Sequence, residues 1–564
     1  MVPGIFGGIH ILRKIFLVLV LIFAALFYTL LFRSLNSVSV YAGGKPVLVI
    51  ENKVFENLQP FIIENGNVLI SYNIIKENLD PYIFWDPVEN KVTITTYNKT
   101  VRLKTDSLTA MINTKPVEIS FPVKVLGEPY IPIRLLEELY GIDVRVLPDY
   151  DRVIIDRKVA VRKMGRTLGR EVAVKLSPSW FSPTVKNVKQ SQELTVYGYE
   201  KGWYQVRTKD GVVGFVPGKK LEVFEMSFKV EKAPEKFVQN PGRGKLNMVW
   251  DYIHSATPDV HRENAPKGLD IISPTWFSII DGRGTIESKA DISYVEWAHK
   301  NNLAVWALID NSFDPNITHD FLKSSEAREN IIRQILMYAE LFHLDGINVD
   351  FENINLEDKN LLVQFMRELV PVMHEAGITV SQDITVKSQS ANWSLCYDRK
   401  ELGKIVDYLV LMAYDEHWAG SPESGSVASI GWVERGIKTL LEDVPPEKVI
   451  LGLPFYTREW EETPGPDGTP VVKSKALSMA QARETLKKNK ARMSWDEASG
   501  QNFAYYTKGD SVYKIWLEDE MSIKLKTSLV RKYDLAGAAA WRKGFEESPV
   551  WDVIFEVLKS PGKV

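Results

Sequence analysis

The stretch "LDGINVDFEN", Leu344 to Asn353, decides how the C-terminal part of the chain folds. Ile347, Val349 and Phe351 fall on one side of an extended chain, and Asn348, Asp350 and Glu352 fall on the other. Neighbours on one strand face lie roughly 6.6 Å apart, so the three polar groups form a line. If helices cover the apolar side, the polar side faces a solvated cleft or a polar interior. A solvent-facing edge strand has the same alternation, so the neighbouring elements must decide.

Those neighbours repeat the theme. "LNMVWDYI", "LDIISPTWFSII", "LAVWALIDN", "GINVDFEN", "ITVSQDIT", "VDYLVLMAYD", "KVILGLPFY" and "LAGAAAWRKGF" read as strands within residues 246–564. Amphipathic stretches such as "EARENIIRQILMYAELF" and "KNLLVQFMRELVPVMHEAG" separate most of them. Eight βα units in roughly 300 residues predict an α/β fold of the (β/α)8, or TIM, barrel type. The gap before the last strand is too long for one helix and predicts a small α+β insertion, roughly Thr457 to Lys526. A barrel enzyme carries its chemistry at the carboxyl ends of its strands. Those ends collect Asp251, Tyr252, Trp276, Asp310, Glu352, Asp383, Tyr414, Asp415, Tyr456, Arg458 and Trp541.

Four ordered motifs identify a family. "DGINVDFE" carries Asp345, Gly346, Asp350 and Glu352; "LMAYD" carries Met412, Tyr414 and Asp415; "LGLPFYTREW" ends the seventh strand; Trp541 closes the eighth. Over the whole barrel the sequence resembles glycoside hydrolase family 18, the chitinase-like family. The resemblance implies a retaining, substrate-assisted glycosidase that needs no cofactor or metal. Glu352 would protonate the leaving oxygen and later activate water. Asp350 would orient the sugar's acetamide, Tyr414 would donate to its oxygen, and Trp541 would floor the site. Asn348, Asp345, Tyr456, Arg458, Asp415, Trp276 and Asp383 are the expected substrate-binding residues. Two departures stand out. The signature's middle Asp is Asn348, which hydrogen-bonds but cannot ionise. The third strand reads "WALIDNS" where digestive chitinases carry SxGG, which points to the bacterial cell-wall and spore-cortex branch.

The expected substrate is a β-1,4-linked glycan containing N-acetylglucosamine, peptidoglycan before chitin. A lectin-like member that binds without cutting is the rival from another class. Retention of the acid Glu352 weighs against it. The net charge of −3 gives no global reason to expect nucleic acid, and the single cysteine, Cys396, excludes a disulfide framework.

Residues 45–157 hide a repeat. A shift that puts Gly127 on Gly66 aligns two segments without a gap, Ile74–Ile75 on Leu135–Leu136, Pro87 on Pro148 and Val92 on Val153. Each copy reads as strand, short helix and hairpin. The second, with "YIPIRLLEELYGIDV", resembles the repeat domain named after the N-terminus of copper amine oxidases. The segment has no histidine or cysteine cluster, so the name implies no copper. Residues 158–225, with "GWYQVRTKDGVVGFV", resemble a small bacterial SH3-like barrel, in which Trp203 is expected in the core. Residues 226–245 read as a linker. In the first 44 residues, Arg13–Lys14 precedes Ile15–Phe32, eighteen residues without a charge. That run is long enough to span a bilayer, and the flanking cations predict an outward-facing body, on a single-pass anchor or released near Ala42.

Overall fold

The computed structural model describes residues 16–25, 46–56, 59–147, 151–229, 244–465 and 469–559. They form two compact units. The first takes in residues up to 83, 105–108 and 119–233, and the second takes in 84–104, 109–118 and 234 onward.

The second unit contains the barrel. Its strands are Leu246–Asp251, Ile271–Ile279, Ala304–Asp310, Gly346–Asp350, Thr379–Thr385, Tyr408–Met412, Val449–Pro454 and Gly537–Trp541. All eight expected strands form, each parallel to the next, and the first also pairs with the eighth to close the ring. Closure removes the edges that would otherwise invite pairing. Alternation along the strands then sorts side chains into two cores. Met248, Trp250, Trp306, Leu308, Val410 and Ile450 fill the interior. Ile347, Val349 and Phe351 join the mantle between strands and helices. The polar side of the quoted stretch therefore faces inward. Gly346 is fixed by packing: a Cβ there would stand 2.4 Å from the Trp306 ring.

The helix Ser325–Phe342 shows how a mantle element is built. Ser324 caps it by accepting from the Ala327 N–H, and it ends at His343 in the left-handed conformation. Between these ends Ala327, Ile331, Ile332, Ile335 and Ala339 form its buried stripe.

The insertion is a five-stranded antiparallel sheet with one helix, running from Tyr456 to Trp516. The expected limit at Lys526 is corrected. Asp519 caps a new helix, Glu520–Lys532, whose Ile523, Leu529 and Val530 belong to the barrel mantle. Lys526 sits buried on this helix against Glu518, 2.6 Å away. Its amphipathic pattern alone could not say which core it would join.

Both repeat copies form as read. Asn67–Ser71 leads into the helix Tyr72–Asn78, and Glu128–Pro132 into Ile133–Tyr140. The two strands pair antiparallel, Tyr130 opposite Ser71. The equivalent hairpin residues Asn90 and Asp151 both take positive φ. The hairpins then part company. The second, Ile142–Leu147 with Arg152–Arg157, pairs with Val47–Ile50 in the first unit. The first, Phe84–Asp86 with Lys91–Thr95, extends through Thr100–Lys104, Thr109–Ile112 and Lys115–Glu118 into a five-stranded sheet. That sheet belongs to the second unit and docks on barrel helices. Arg102 reaches Glu368, Lys91 reaches Glu329, and the Ser325 N–H donates to Asp86.

Residues 161–227 form a seven-stranded antiparallel sheet around Val172, Val174, Leu194, Val206 and Val216. Trp203 is buried there, as a core aromatic should be. Within the same unit Arg207 and Asp156 form an ion pair between the repeat and this sheet, each under a tenth exposed.

Residues 16–25 form a helix. The rest of the Ile15–Phe32 run, the site near Ala42 and most of the expected linker lie outside the described residues. Among the described residues no helix is long and apolar enough to cross a membrane.

Candidate active site

At the carboxyl ends of the barrel strands lies a cleft of about 500 Å³. Strand four delivers Asp350 and Glu352 to it, strand five Asp383, strand six Met412, Tyr414 and Asp415, strand seven Tyr456, and strand eight Trp541. The first three strands add Trp250, Thr275, Ser278, Leu308 and Asp310.

The line of polar groups is held from inside the barrel. Trp250 donates its indole N–H to Asn348 Oδ1 at 2.7 Å, and Ser273 donates to the same oxygen at 3.3 Å. The Asn348 amide nitrogen donates to Asp383 Oδ1 at 2.7 Å. Asn348 is fully buried and does not line the cleft, so it acts as a strut for Asp383. Asp350 is buried too, and its Oδ1 has no hydrogen-bond partner among the described residues. Burial pushes the Asp350 carboxyl well above the carboxylate range, and the charges of Glu352, Asp383 and Asp310 push it further. Asp383 is raised by burial against the pull of Asn348.

Glu352 is positioned through its backbone. Asn311 at the end of strand three accepts from its N–H at 3.0 Å and donates to its carbonyl at 2.7 Å. The carboxyl is raised to about 7, by burial first and by Asp415 and Asp310 next. Such a value suits a group that must give up a proton and take one back near neutrality. Tyr414 is raised well above its usual value by burial and the surrounding carboxyls, so its hydroxyl stays a donor. Gly452 makes room for it: a Cβ there would lie 3.2 Å from the Tyr414 ring. Trp541 stands edge-on to Trp250 and Tyr252, at 6.1 and 6.2 Å between ring centroids. Tyr456 donates its hydroxyl to Asp415 at 2.5 Å, and Arg458 stands 3.7 Å from the same carboxylate.

Besides Asn348, which is a buried strut and not a binding residue, three expected binding residues need correction. Asp345 precedes its strand and lies at the end away from the cleft. There it accepts from the Val305 N–H at 2.8 Å and pairs with His299 at 2.8 Å. It ties strand to helix. Trp276 is fully buried in the mantle, donating to Thr257 and packing on Tyr294. A register shift between Thr275 and Phe277 turns it outward while Thr275 and Ser278 still line the cleft. Arg458 is braced by Asp415 and Ser474 and does not line the cleft. Sequence reasoning gave Asp310 and Tyr252 no role beyond a strand end, and left out Trp250 and Lys289; all four line the site. Asp310 accepts from Ser278 and from the Ser312 N–H, at 2.9 and 2.8 Å. Its place at a strand end was the available signal. Nothing in the sequence marks Lys289.

The cleft at the mouth of the closed barrel thus brings together raised carboxyls, an unsatisfied buried oxygen and the Trp541 ring. Residues 198–545 match the model of glycosyl hydrolases family 18, and residues 49–155 match that of the copper amine oxidase N-terminal domain. The chain belongs to glycosyl hydrolase family 18 and is a glycosidase. The uncharacterized glycosylase YvbX of Bacillus subtilis is 27% identical over 283 residues, 48% of this chain and 80% of that protein. The cortical fragment-lytic enzyme of the same species is 27% identical over 259 residues, 45% of this chain; the match spans only 59% of that protein's length. Among solved structures, the spore cortex-lytic enzyme SleL of Bacillus megaterium QM B1551 superposes with a TM-score of 0.51 at 20% identity. That match covers 66% of this chain and 90% of the other, and it shows a shared fold.

Proposed function

We propose that this glycosidase hydrolyses β-1,4 linkages beside N-acetylglucosamine in peptidoglycan, with retention, by substrate-assisted catalysis. The observation that carries the mechanism is the buried, unpartnered Oδ1 of Asp350 beside Glu352 and Tyr414 in one cleft. A buried polar atom without a partner costs free energy unless a ligand satisfies it. The N–H of a 2-acetamido group fits that role.

Glu352 donates its proton to the glycosidic oxygen as the C1–O bond breaks. The acetamide oxygen attacks C1 and forms an oxazolinium ion. Asp350 accepts from the acetamide N–H, and Tyr414 donates to the acetamide oxygen. Water then attacks C1 and gives its proton to Glu352, which restores the acid. The scheme departs from the two-carboxylate pattern because the substrate supplies the nucleophile. Peptidoglycan is preferred over chitin because a curated relative is named for lysis of cortical fragments.

Purified peptidoglycan and colloidal chitin, digested in parallel with wild type and Tyr414→Phe, test both halves. Mass spectrometry of the new ends should place the cut at N-acetylglucosamine. Tyr414→Phe should lose about 2–4 kcal/mol of transition-state stabilisation, the worth of one oxyanion-type donor. Its melting temperature should hold. Efficient cleavage of de-N-acetylated glycan by the wild type would sink the mechanism, and release of ends from chitin alone would sink the substrate.

The glycan lies outside the cytoplasm, so we also propose that the protein is exported by its N-terminal segment. This rests on the sequence, Arg13–Lys14 followed by the uncharged run Ile15–Phe32. Protease added to intact cells should digest the barrel. Protection of the barrel while a known surface protein is cut would overturn the topology.

A further inference from the structure

The cleft is lined by five carboxyls, Asp310, Asp350, Glu352, Asp383 and Asp415. Those of them that ionise repel a glycan bearing carboxylates and leave a neutral chitin chain indifferent, so a charged glycan needs a cation of the protein's own. Two cations stand on the first-strand side, Lys289 beside Ile253 and Arg542 beside Tyr252. Lys289 lines the cleft. Its ammonium donates to the Ile253 carbonyl at 3.4 Å, and among the described residues it has no ion pair. Arg542 lays its guanidinium 5.0 Å from the Tyr252 ring centroid and 3.9 Å from that of Phe545. Among the described residues it too has no ion pair and no side-chain hydrogen bond.

The neighbouring cations are spoken for. Lys543 pairs with Asp251 at 3.0 Å and Glu263 at 2.8 Å, and Arg458 lies against Asp415. The contrast matters because exposed cations without partners are ordinary, whereas Lys289 lines the cleft and Arg542 lies against Tyr252, which lines it too. Tyr252, itself 45% exposed in that cleft, carries Arg542 on its ring, and the next residue's carbonyl holds Lys289. The two rings hold the guanidinium without using its N–H donors, which stay available to a carboxylate.

We propose that Lys289 and Arg542 form a carboxylate-binding subsite that selects peptide-free glycan strands, in which N-acetylmuramic acid keeps a free 3-O-lactyl carboxylate instead of the amide to a stem peptide. The choice of ligand rests on the peptidoglycan reading above. The two residues determine specificity and take no part in bond breaking.

Binding is measured on the full chain carrying Glu352→Gln, so that no ligand is consumed. Three tetrasaccharides are compared: a peptidoglycan fragment with free lactyl carboxylates, the same fragment with those carboxylates converted to methylamides, and chitotetraose. Adding Lys289→Gln and Arg542→Gln should weaken the first ligand about 10–100-fold, the range of hydrogen bonds to charged groups. The other two should change by less than about twofold, because they lose no charge-assisted bond. Lys289→Arg should keep most of the affinity, and added salt should erase the preference. Melting temperatures confirm that each variant is folded. Equal losses on all three ligands, or no loss on the first, would overturn the subsite. The reading it rests on fails separately. Wild type that leaves peptidoglycan uncut overturns the substrate, while a lactyl preference that depends on Lys289 and Arg542 would still establish the subsite.

Discussion

Glu352→Gln is expected to lower turnover about 10⁴-fold or more, because general acid help alone is worth about 10²–10⁴-fold and this group also serves as the base. The amide keeps the size and hydrogen bonds of the carboxyl but cannot give up a proton as an acid does. Glycan binding should survive. The pH dependence follows from the raised carboxyl. With Glu352 titrating at about 7, the protonated acid is lost as pH rises through that value, so wild-type kcat/KM should fall on that side. Stability carries the same sign. A carboxyl raised on folding stabilises the native state in its protonated form, fully below its ordinary value near 4.5 and less as pH rises toward 7. The Gln variant has no such loss. Its melting temperature should overtake that of the wild type above neutral pH, by an amount on the order of 1–3 kcal/mol in stability. A structural carboxylate would behave in the opposite way, with lower stability and near-normal turnover per folded molecule. Rate and melting temperature on one preparation, at pH 5 and pH 8, separate the two. Near-normal turnover in a folded Gln variant would refute the assignment of the acid.

Much of this site was legible because strand alternation and motif order report on the same object. The alternation of Ile347, Val349 and Phe351 against Asn348, Asp350 and Glu352 put the polar line inside the barrel, where the structure has it. The misreadings came where a motif mixes two ends of a strand or where alternation breaks. Asp345 shares a signature with Glu352 but stands before a strand that runs from Gly346 to Asp350, so it serves the opposite end. Trp276 ends a plausible strand, yet one register shift sends it into the mantle. Neither feature leaves a trace in residue type. The partner of a hairpin is hidden in the same way. The first repeat hairpin and its extension pack on the barrel, while its sequence twin pairs inside the other unit. Local pattern specifies that a strand forms, and partners more than two hundred residues away decide where it goes.

That docking supplies the second large effect. Glu368, on the helix Lys359–Glu375, is fully buried, and so is Arg328, whose Nε and Nη2 donate to it at 3.1 and 2.9 Å. Arg102, from the docked sheet, stands 3.4 Å from its other oxygen and is itself 3% exposed. Gln364 also donates to Glu368, at 2.9 Å. Burial alone would raise the Glu368 carboxyl, but Arg328 and Arg102 pull it below its ordinary value. The stability it contributes is therefore present above that ordinary value and is lost as pH falls through the lowered one. Replacing Glu368 with Leu leaves Arg328 buried without its anion and Arg102 with only Glu329, 3.9 Å from its Nε. Removal of one partner from a buried ion pair costs about 3–5 kcal/mol, far more than an exposed pair is worth. The Leu variant should lose that amount in denaturant unfolding of the barrel. Its kcat/KM per folded molecule should stay near that of the wild type, since Glu368 lies in the mantle and does not line the cleft. Combining Glu368→Leu with Arg102→Met should cost less than the two single losses added together, because the second change removes a charge the first stranded. Strict additivity would mean that the sheet and the barrel helix are not coupled through this pair. A loss under about 1 kcal/mol would place Glu368 with the surface pairs and leave the docking to contacts such as Lys91 with Glu329 and the Ser325 N–H with Asp86.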